Sequence, residues 1–146
     1  GDRQFLKSSV FIDERYLQIM EHTGENYQPG VSFGEWRVAF LNTHDRFRRE
    51  NLCQLERHLL TDETFTLLKG WAVLYIGDGD GTQVGTITPV FLDPYKVYNV
   101  RAGVWHAIET GDDTSLLITE NENTSPENSP KLSISPEQLP SWKPKG

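Results

Sequence analysis

Between residues 35 and 120 the chain is cut into short apolar segments, with glycine, proline, aspartate or asparagine standing between one and the next. "EWRVAFLN", "LCQLERHLL", "ETFTLL", "WAVLYI", "VGTITPVFL", "KVYNV", "VWHAIE" and "TSLLITE" follow at spacings of about 8 to 12 residues, the rhythm of strands joined by tight connections. In the first of them Trp36, Val38 and Phe40 fall on one face of an alternating strand. "GDGDG", residues 77–81, and "TGDD", residues 110–113, are rich in residues that tolerate positive φ and read as turns. Many short strands without intervening helices predict an all-β fold, a sandwich or barrel.

The organisation follows from where this rhythm starts and stops. Residues 1–28 form an N-terminal arm; within it "DERYLQIMEH", residues 13–22, reads as a short helix with Tyr16, Leu17 and Met20 on one face, or as an extended arm. The strand rhythm runs from residue 35 to residue 120. Residues 121–146 form a tail dominated by Pro, Ser and Asn, weak material for a core. In that tail "SPEQ" carries the signals of a helix start, with Ser135 as N-cap, Pro136 in the first turn and Gln138 closing the box. Leu139 and Trp142 are the residues expected to pin the tail to the barrel.

Charge narrows the function. The net charge is -7, from 21 acidic and 14 basic residues, which disfavours a phosphate backbone as partner. The one basic cluster, "RFRRE" at 46–50, reads as a solvated turn. No nucleic acid is expected as partner, and no membrane, since "WAVLYI" is too short to cross a bilayer. With one cysteine no internal disulfide forms; Cys53 reads as a buried strand residue. The start at Gly1 reads as a cleavage product, and a reducing, cytoplasmic setting is expected.

One stretch breaks the apolar pattern. "LERHLLTDETFTLLKG", residues 55–70, places Glu56, His58 and Glu63 among core-type residues. In a strand Glu56 and His58 project together, while Leu55, Arg57 and Leu59 point the other way. A turn at Thr61 and Asp62 lets Glu63 return toward His58, with Phe65 and Leu67 on its own face. "RAGVWHAIE", residues 101–109, adds His106, on a face with Val104 and Ile108 and opposite Trp105, after a turn that Gly103 permits. Carboxylates and imidazoles inside a barrel are costly to bury unpaired, and a divalent cation (Mn, Fe, Ni or Zn) offsets that cost. The bland reading makes these core histidines satisfied by Glu56 or Glu63. Glu56 is open between ligand, orienter of a histidine, and partner of an arginine. Arg101 reads as a clamp for a substrate carboxylate or as a surface salt bridge. Trp36, Trp71 and Trp105 read as core or interface mass, Tyr75 and Tyr98 as candidate pocket residues, and His22 and His44 as solvated.

These two segments resemble the two cupin motifs. His58, Glu63 and Gly70 match the first, and Gly103 and His106 the second. The resemblance implies a single-domain jelly-roll β-barrel over residues 29–120, with metal ligands at His58, Glu63 and His106. The chain departs from the motif at Glu56, where a histidine is usual, at Arg101, where proline is common, and at Thr110, where asparagine closes the motif. Glu56, Arg57, His58, Phe65, Leu68, Gly103, Trp105 and His106 are similar to ureidoglycolate lyases, although those enzymes typically carry glutamine in place of Glu63.

The resemblance implies a metal-dependent lyase or hydrolase acting on a small ureido- or hydroxy-acid, with Glu56 moving a proton and Arg101 holding the carboxylate. The alternative is a non-catalytic cupin, a sensor or accessory protein that binds a small-molecule ligand in the barrel. A homodimer is expected, with Phe5, Phe11 and Tyr16 of the arm covering an exposed sheet edge.

Overall fold

The computed structural model describes residues 11–79 and 81–142, so Phe5 and Asp80 lie outside the described residues. Ten strands run through the chain: β1 (Asn26–Phe33), β2 (Trp36–Asn42), β3 (Gln54–Glu56), β4 (Glu63–Lys69), β5 (Ala72–Gly77), β6 (Ile87–Phe91), β7 (Tyr98–Val100), β8 (Trp105–Thr110), β9 (Ser115–Asn121) and β10 (Lys131–Ser133). They form two five-stranded antiparallel sheets, the first in the order β1-β2-β9-β4-β7 and the second in the order β10-β3-β8-β5-β6. The all-β architecture is what the strand rhythm predicts, and the double-sheet barrel is what the cupin resemblance implies. The sheets begin at Asn26 and end at Ser133, so they draw on residues either side of the 29–120 span.

Alternation decides what the barrel encloses. In β4 Glu63, Phe65 and Leu67 are buried while Thr64 and Thr66 are half-covered. In β8 Ile108 and His106 face the interior, and Trp105 joins a second apolar cluster outside the second sheet. Trp36, Val38 and Phe40 do share a face, but it is the outer one; Ala39 and Leu41 supply the core. Between the sheets sit Leu41, Phe65, Leu67, Leu74, Leu116 and Ile118 with their neighbours.

The second cluster is built by the tail. Ile134 and Leu139 are buried against Leu52, Leu55, Val73 and Tyr75, and Trp142 packs on Phe91 with ring centroids 4.5 Å apart. Arg49 fixes the tail by donating to the carbonyls of Leu139 (2.7 Å) and Pro140 (2.8 Å). "SPEQ" forms a 3-10 turn over Pro136–Gln138, with the Ser135 N–H donating to Gln138 Oε1 at 2.8 Å.

Several local expectations change. Residues 11–22 contain no helix; a single turn at Asp13 sits in an otherwise extended arm. Cys53 is exposed, just before β3, while Leu55 two positions on is buried. Tyr75 is buried but faces the tail, since β5 parity sends Leu74 inward. Trp36 and Trp71 are partly exposed, and only Trp105 is core. His22 and His44 are half-buried; His44 Nδ1 accepts from the Arg46 N–H (3.1 Å) and caps a 3-10 turn. Among the described residues no helix is long and apolar enough to cross a membrane.

Candidate metal and ligand site

The two motif segments meet because β3 pairs with β8. Glu56 stands opposite His106 in register, and the Gly103 N–H donates to the His58 carbonyl at 2.7 Å. Gly103 has φ +80°, a conformation that glycine adopts without strain, and this lets the chain turn into β8 at that contact. Strand β4, in the other sheet, brings Glu63 across the barrel. Its Oε1 lies 3.1 Å from His58 Nε2 and 2.9 Å from His106 Nε2, and the two imidazole centroids are 5.2 Å apart. All three side chains are buried, and their ligand atoms lie within 4.8 Å of one another.

The outer nitrogens of the two rings are also held. His106 Nδ1 lies 3.0 Å from the Val104 carbonyl, which can only accept, so Nδ1 carries a proton. Nε2 then meets the Glu63 carboxylate in one of two ways. Either it carries a second proton, or it turns a lone pair toward an oxygen lone pair, which only a cation between them makes favourable. His58 Nδ1 is 2.7 Å from Ser129 Oγ. Imidazole nitrogen and carboxylate oxygen suit manganese, iron, nickel and zinc, and each ring is oriented from behind as metal-binding histidines usually are. The residues present therefore fit a divalent cation.

Electrostatics tie a second carboxylate to the first. Burial pushes the Glu63 carboxyl up, but hydrogen bonds from His106 and His58 more than reverse this and hold it well below the usual range. For His58, burial works against the charged ring, yet the hydrogen bond and charge of Glu63 and the charge of Glu56 leave its pKa raised. Glu120, on β9, is buried beside Glu63. Burial and the Glu63 charge raise it to about 7, against the opposing pull of Arg37 and Tyr27. Glu120 Oε1 accepts from Tyr27 Oη (2.8 Å) and Arg37 Nη2 (2.7 Å). Glu120 Oε2 is buried without a hydrogen-bond partner, so Oε1 alone anchors this carboxyl.

These groups line a cavity of about 540 Å³. Leu41, Phe65 and Ile118 give it an apolar wall, and Thr124, Ser125 and Ser129 from the segment after β9 close one side. Glu56 reaches it half-buried, with Oε1 3.6 Å from His58 Nε2 and Oε2 3.9 Å from Lys131 Nζ. Two cations, Arg46 and Lys131, stand in its lining.

Of the residues singled out in the sequence, His58, Glu63, His106 and Glu56 come together. Arg101 does not: it is exposed, does not line the cavity, and pairs with Asp62 (Nε to Oδ2, 3.3 Å), the carboxylate that also accepts from the Ala102 N–H. The salt-bridge reading holds for it. Tyr75 and Tyr98 stay out of the cavity, and Tyr27 takes their place. Sequence reasoning missed Tyr27, Arg46, Glu120, Ser129 and Lys131. Glu120 alone left a trace, as a charged residue on the inward parity of "LLITE"; Arg46 was hidden in a cluster read as a solvated turn.

Neither a family model nor a curated protein sequence matches the chain. Solved structures do. A variant of Streptomyces Pac13 with uridine, a protein described as a nucleoside dehydratase, is similar at a TM-score of 0.55 and 11% identity, covering 84% of this chain and 92% of that one. A variant of the QdtA 3,4-ketoisomerase from Thermoanaerobacterium thermosaccharolyticum, in complex with TDP, gives 0.53 and 16%, covering 68% of each chain. A 3,4-ketoisomerase from Helicobacter canadensis gives 0.51 and 12%, covering 64% of this chain and 66% of its own. With the two-sheet topology, this likeness gives the chain the cupin fold.

Proposed function

We propose that the chain binds manganese, iron, nickel or zinc on His58, Glu63 and His106 and acts as a lyase or hydrolase on a small hydroxy- or ureido-acid. The observation that carries this reading is His106. Its Nδ1 proton is committed to the Val104 carbonyl, and its Nε2 converges with His58 Nε2 on one carboxylate oxygen. A bound divalent cation supplies Lewis acidity toward a carbonyl or hydroxyl oxygen of the ligand.

The chain's own residues do the rest. Arg46 and Lys131 offer charge for a carboxylate, the task expected of Arg101. Glu56 faces the cavity from a half-buried position and is placed to take or return a proton at the ligand. Glu120, anchored by Tyr27 and Arg37, lines the cavity beside Glu63. The apolar wall limits water at the reacting end of the cavity. Ureidoglycolate as substrate is supported by the sequence resemblance alone.

The test has two readouts. Protein stripped with EDTA is reloaded with each metal and its content measured by mass spectrometry; His106→Ala is carried in parallel. Wild type is expected to take up one equivalent and the variant to lose it. Equal uptake by both, or none by wild type, overturns the cation site. Loaded protein is then offered glycolate, ureidoglycolate and, from the similar structures, uridine and TDP. Turnover of an acid supports the enzyme; a rise in Tm with every ligand recovered unchanged favours a binding protein.

A further inference from the structure

The cavity carries at its mouth a guanidinium that is held in place but has no anion. Arg46 sits on the 3-10 turn Asp45–Phe47, after β2. Its Nε donates to Asn26 Oδ1 at 2.8 Å, and its Cζ lies 4.3 Å from the centroid of the Phe47 ring. Both supports are themselves fixed. Asn26 Oδ1 also accepts from the Tyr27 N–H (2.8 Å), and Phe47 is buried in the core. Nη1 and Nη2 of Arg46 have no hydrogen-bond partner among the described residues. A planar fork oriented in this way is preorganised for a carboxylate or phosphate, which can take both terminal nitrogens at once.

Lys131 adds a second cation at the same mouth. Register sets it opposite Glu56 across β10 and β3, with Nζ 3.9 Å from Glu56 Oε2. Glu56 is also close enough for its charge to act on Arg46. Two cations thus face one half-buried carboxylate, and the mouth is left positive on a chain of net charge -7. Depth separates these cations from the proposed metal ligands. Arg46 and Lys131 are exposed, whereas His58, Glu63 and His106 are buried. The Glu56 carboxylate fills the interval, its Oε1 3.6 Å from His58 Nε2. An α-hydroxy acid carries its hydroxyl and carboxylate on neighbouring carbons, so both reach the inner site together and nothing reaches the mouth. The cavity is also large for such a molecule: 540 Å³ is space for about eighteen waters, and a two-carbon acid fills a small part of it.

We infer that Arg46 and Lys131 form an anion subsite at the mouth, and that the ligand is two-headed, with a hydroxy-acid end at the inner site and a distal carboxylate or phosphate at the mouth. The inner end rests on the proposed cation site; the outer end rests on Arg46, its supports Asn26 and Phe47, and Lys131. The spacer between the two heads is short, because a single carboxylate, that of Glu56, reaches from Lys131 to His58.

Four α-hydroxy acids with the same head test this by titration calorimetry on metal-loaded protein: glycolate, 2-hydroxypentanoate, 2-hydroxyglutarate and 3-phosphoglycerate. At least one of the two with a distal charge is expected to bind about tenfold or more tighter than 2-hydroxypentanoate, which has the length without the charge; whichever does so names the group the mouth takes. Arg46→Gln with Lys131→Gln is expected to remove that preference while glycolate affinity and metal uptake stay as in wild type. Asn26→Gly keeps the left-handed backbone of Asn26 (φ +75°) but removes the carboxamide, and is expected to weaken the preference through Arg46. Equal binding of charged and uncharged acids by wild type overturns the inference. So does a double variant that keeps the preference, or one that loses glycolate, whose only carboxylate would then sit at the mouth. Inorganic phosphate titrated into metal-free protein reads the mouth without the inner cation. Binding by wild type that the double variant loses supports the subsite even where no metal is taken up, and equal binding by both overturns it.

Discussion

Ser129 Oγ stands 2.7 Å from Nδ1 of His58 although 71 positions separate the two residues. The segment that carries Ser129 is laced to the strand end beside His58: the Arg57 N–H donates to the Pro130 carbonyl (3.1 Å) and the Leu59 N–H to the Asn128 carbonyl (3.0 Å). A tail with little core-forming material thus orients a buried imidazole. Ser129→Ala leaves that ring without its rear partner. It is expected to lower cation affinity by about 10-fold to 100-fold and stability by about 1 to 2 kcal/mol. Competition against a chelating dye and urea denaturation read the two effects, and unchanged affinity would show that Ser129 does not orient the ring.

Stability of the metal-free protein is expected to fall as pH rises through neutrality. Glu120 has an ordinary pKa of 4.5 and is raised to about 7, so between these values the folded chain keeps a proton that the unfolded chain has lost. Stability therefore decreases across that window, by an amount on the order of 3 kcal/mol. His58 acts in the same direction: its contribution is complete below 6.5 and is lost as pH passes its raised folded pKa. Glu63, held low, contributes above its ordinary 4.5 and loses that contribution in acid. Tm measured after EDTA treatment should peak near pH 4.5 and decline from there toward pH 8. A flat or rising profile would contradict the raised pKa of Glu120.

Arg37 and Glu120 form the most buried Arg–carboxylate pair among the described residues, at 2.7 Å with side-chain exposures of 13% and 3%. Breaking it from one side strands the other. Arg37→Met removes the cation but keeps the aliphatic stem, and is expected to cost about 3 kcal/mol. Replacing Arg48, whose partners Asp45 and Asp112 are exposed, should cost far less. Chemical denaturation of the two variants side by side checks the contrast.

What the sequence made legible follows from periodicity. Alternation within "ETFTLL" and "VWHAIE" was enough to place Glu63 and His106 inward, since a period of two leaves no other choice once one face is apolar. Residues outside that rhythm were not legible. Arg46 lies in a 3-10 turn, Ser129 and Lys131 in or beside the tail, and Tyr27 at the edge of β1. Their roles come from long-range packing, which no local pattern encodes. Cys53 shows the opposite failure: it shares the parity of buried Leu55 but lies just outside β3 and is exposed.

Gly70, the glycine that closes the first motif, gives the sharpest separation of two backbone effects. It sits at φ +80°, and an added Cβ would overlap Thr114 Oγ1 and come within 2.7 Å of its Cα and 2.8 Å of its Cβ. Thr114 has no room to yield. It is 2% exposed, and its hydroxyl accepts from the Trp71 N–H (3.2 Å) while also lying 3.2 Å from the Trp71 and Asp112 carbonyls. Gly34 is the natural control, at φ +57° with nothing within 4 Å of the same position. Gly34→Ala carries only the cost of a left-handed alanine, about 1 kcal/mol. Gly70→Ala carries that cost and the overlap, and is expected to lose about 3 kcal/mol or more. Urea denaturation of both variants measures the difference directly. Equal losses would mean that the conformation alone, and not the close approach to Thr114, is what requires glycine at the end of β4.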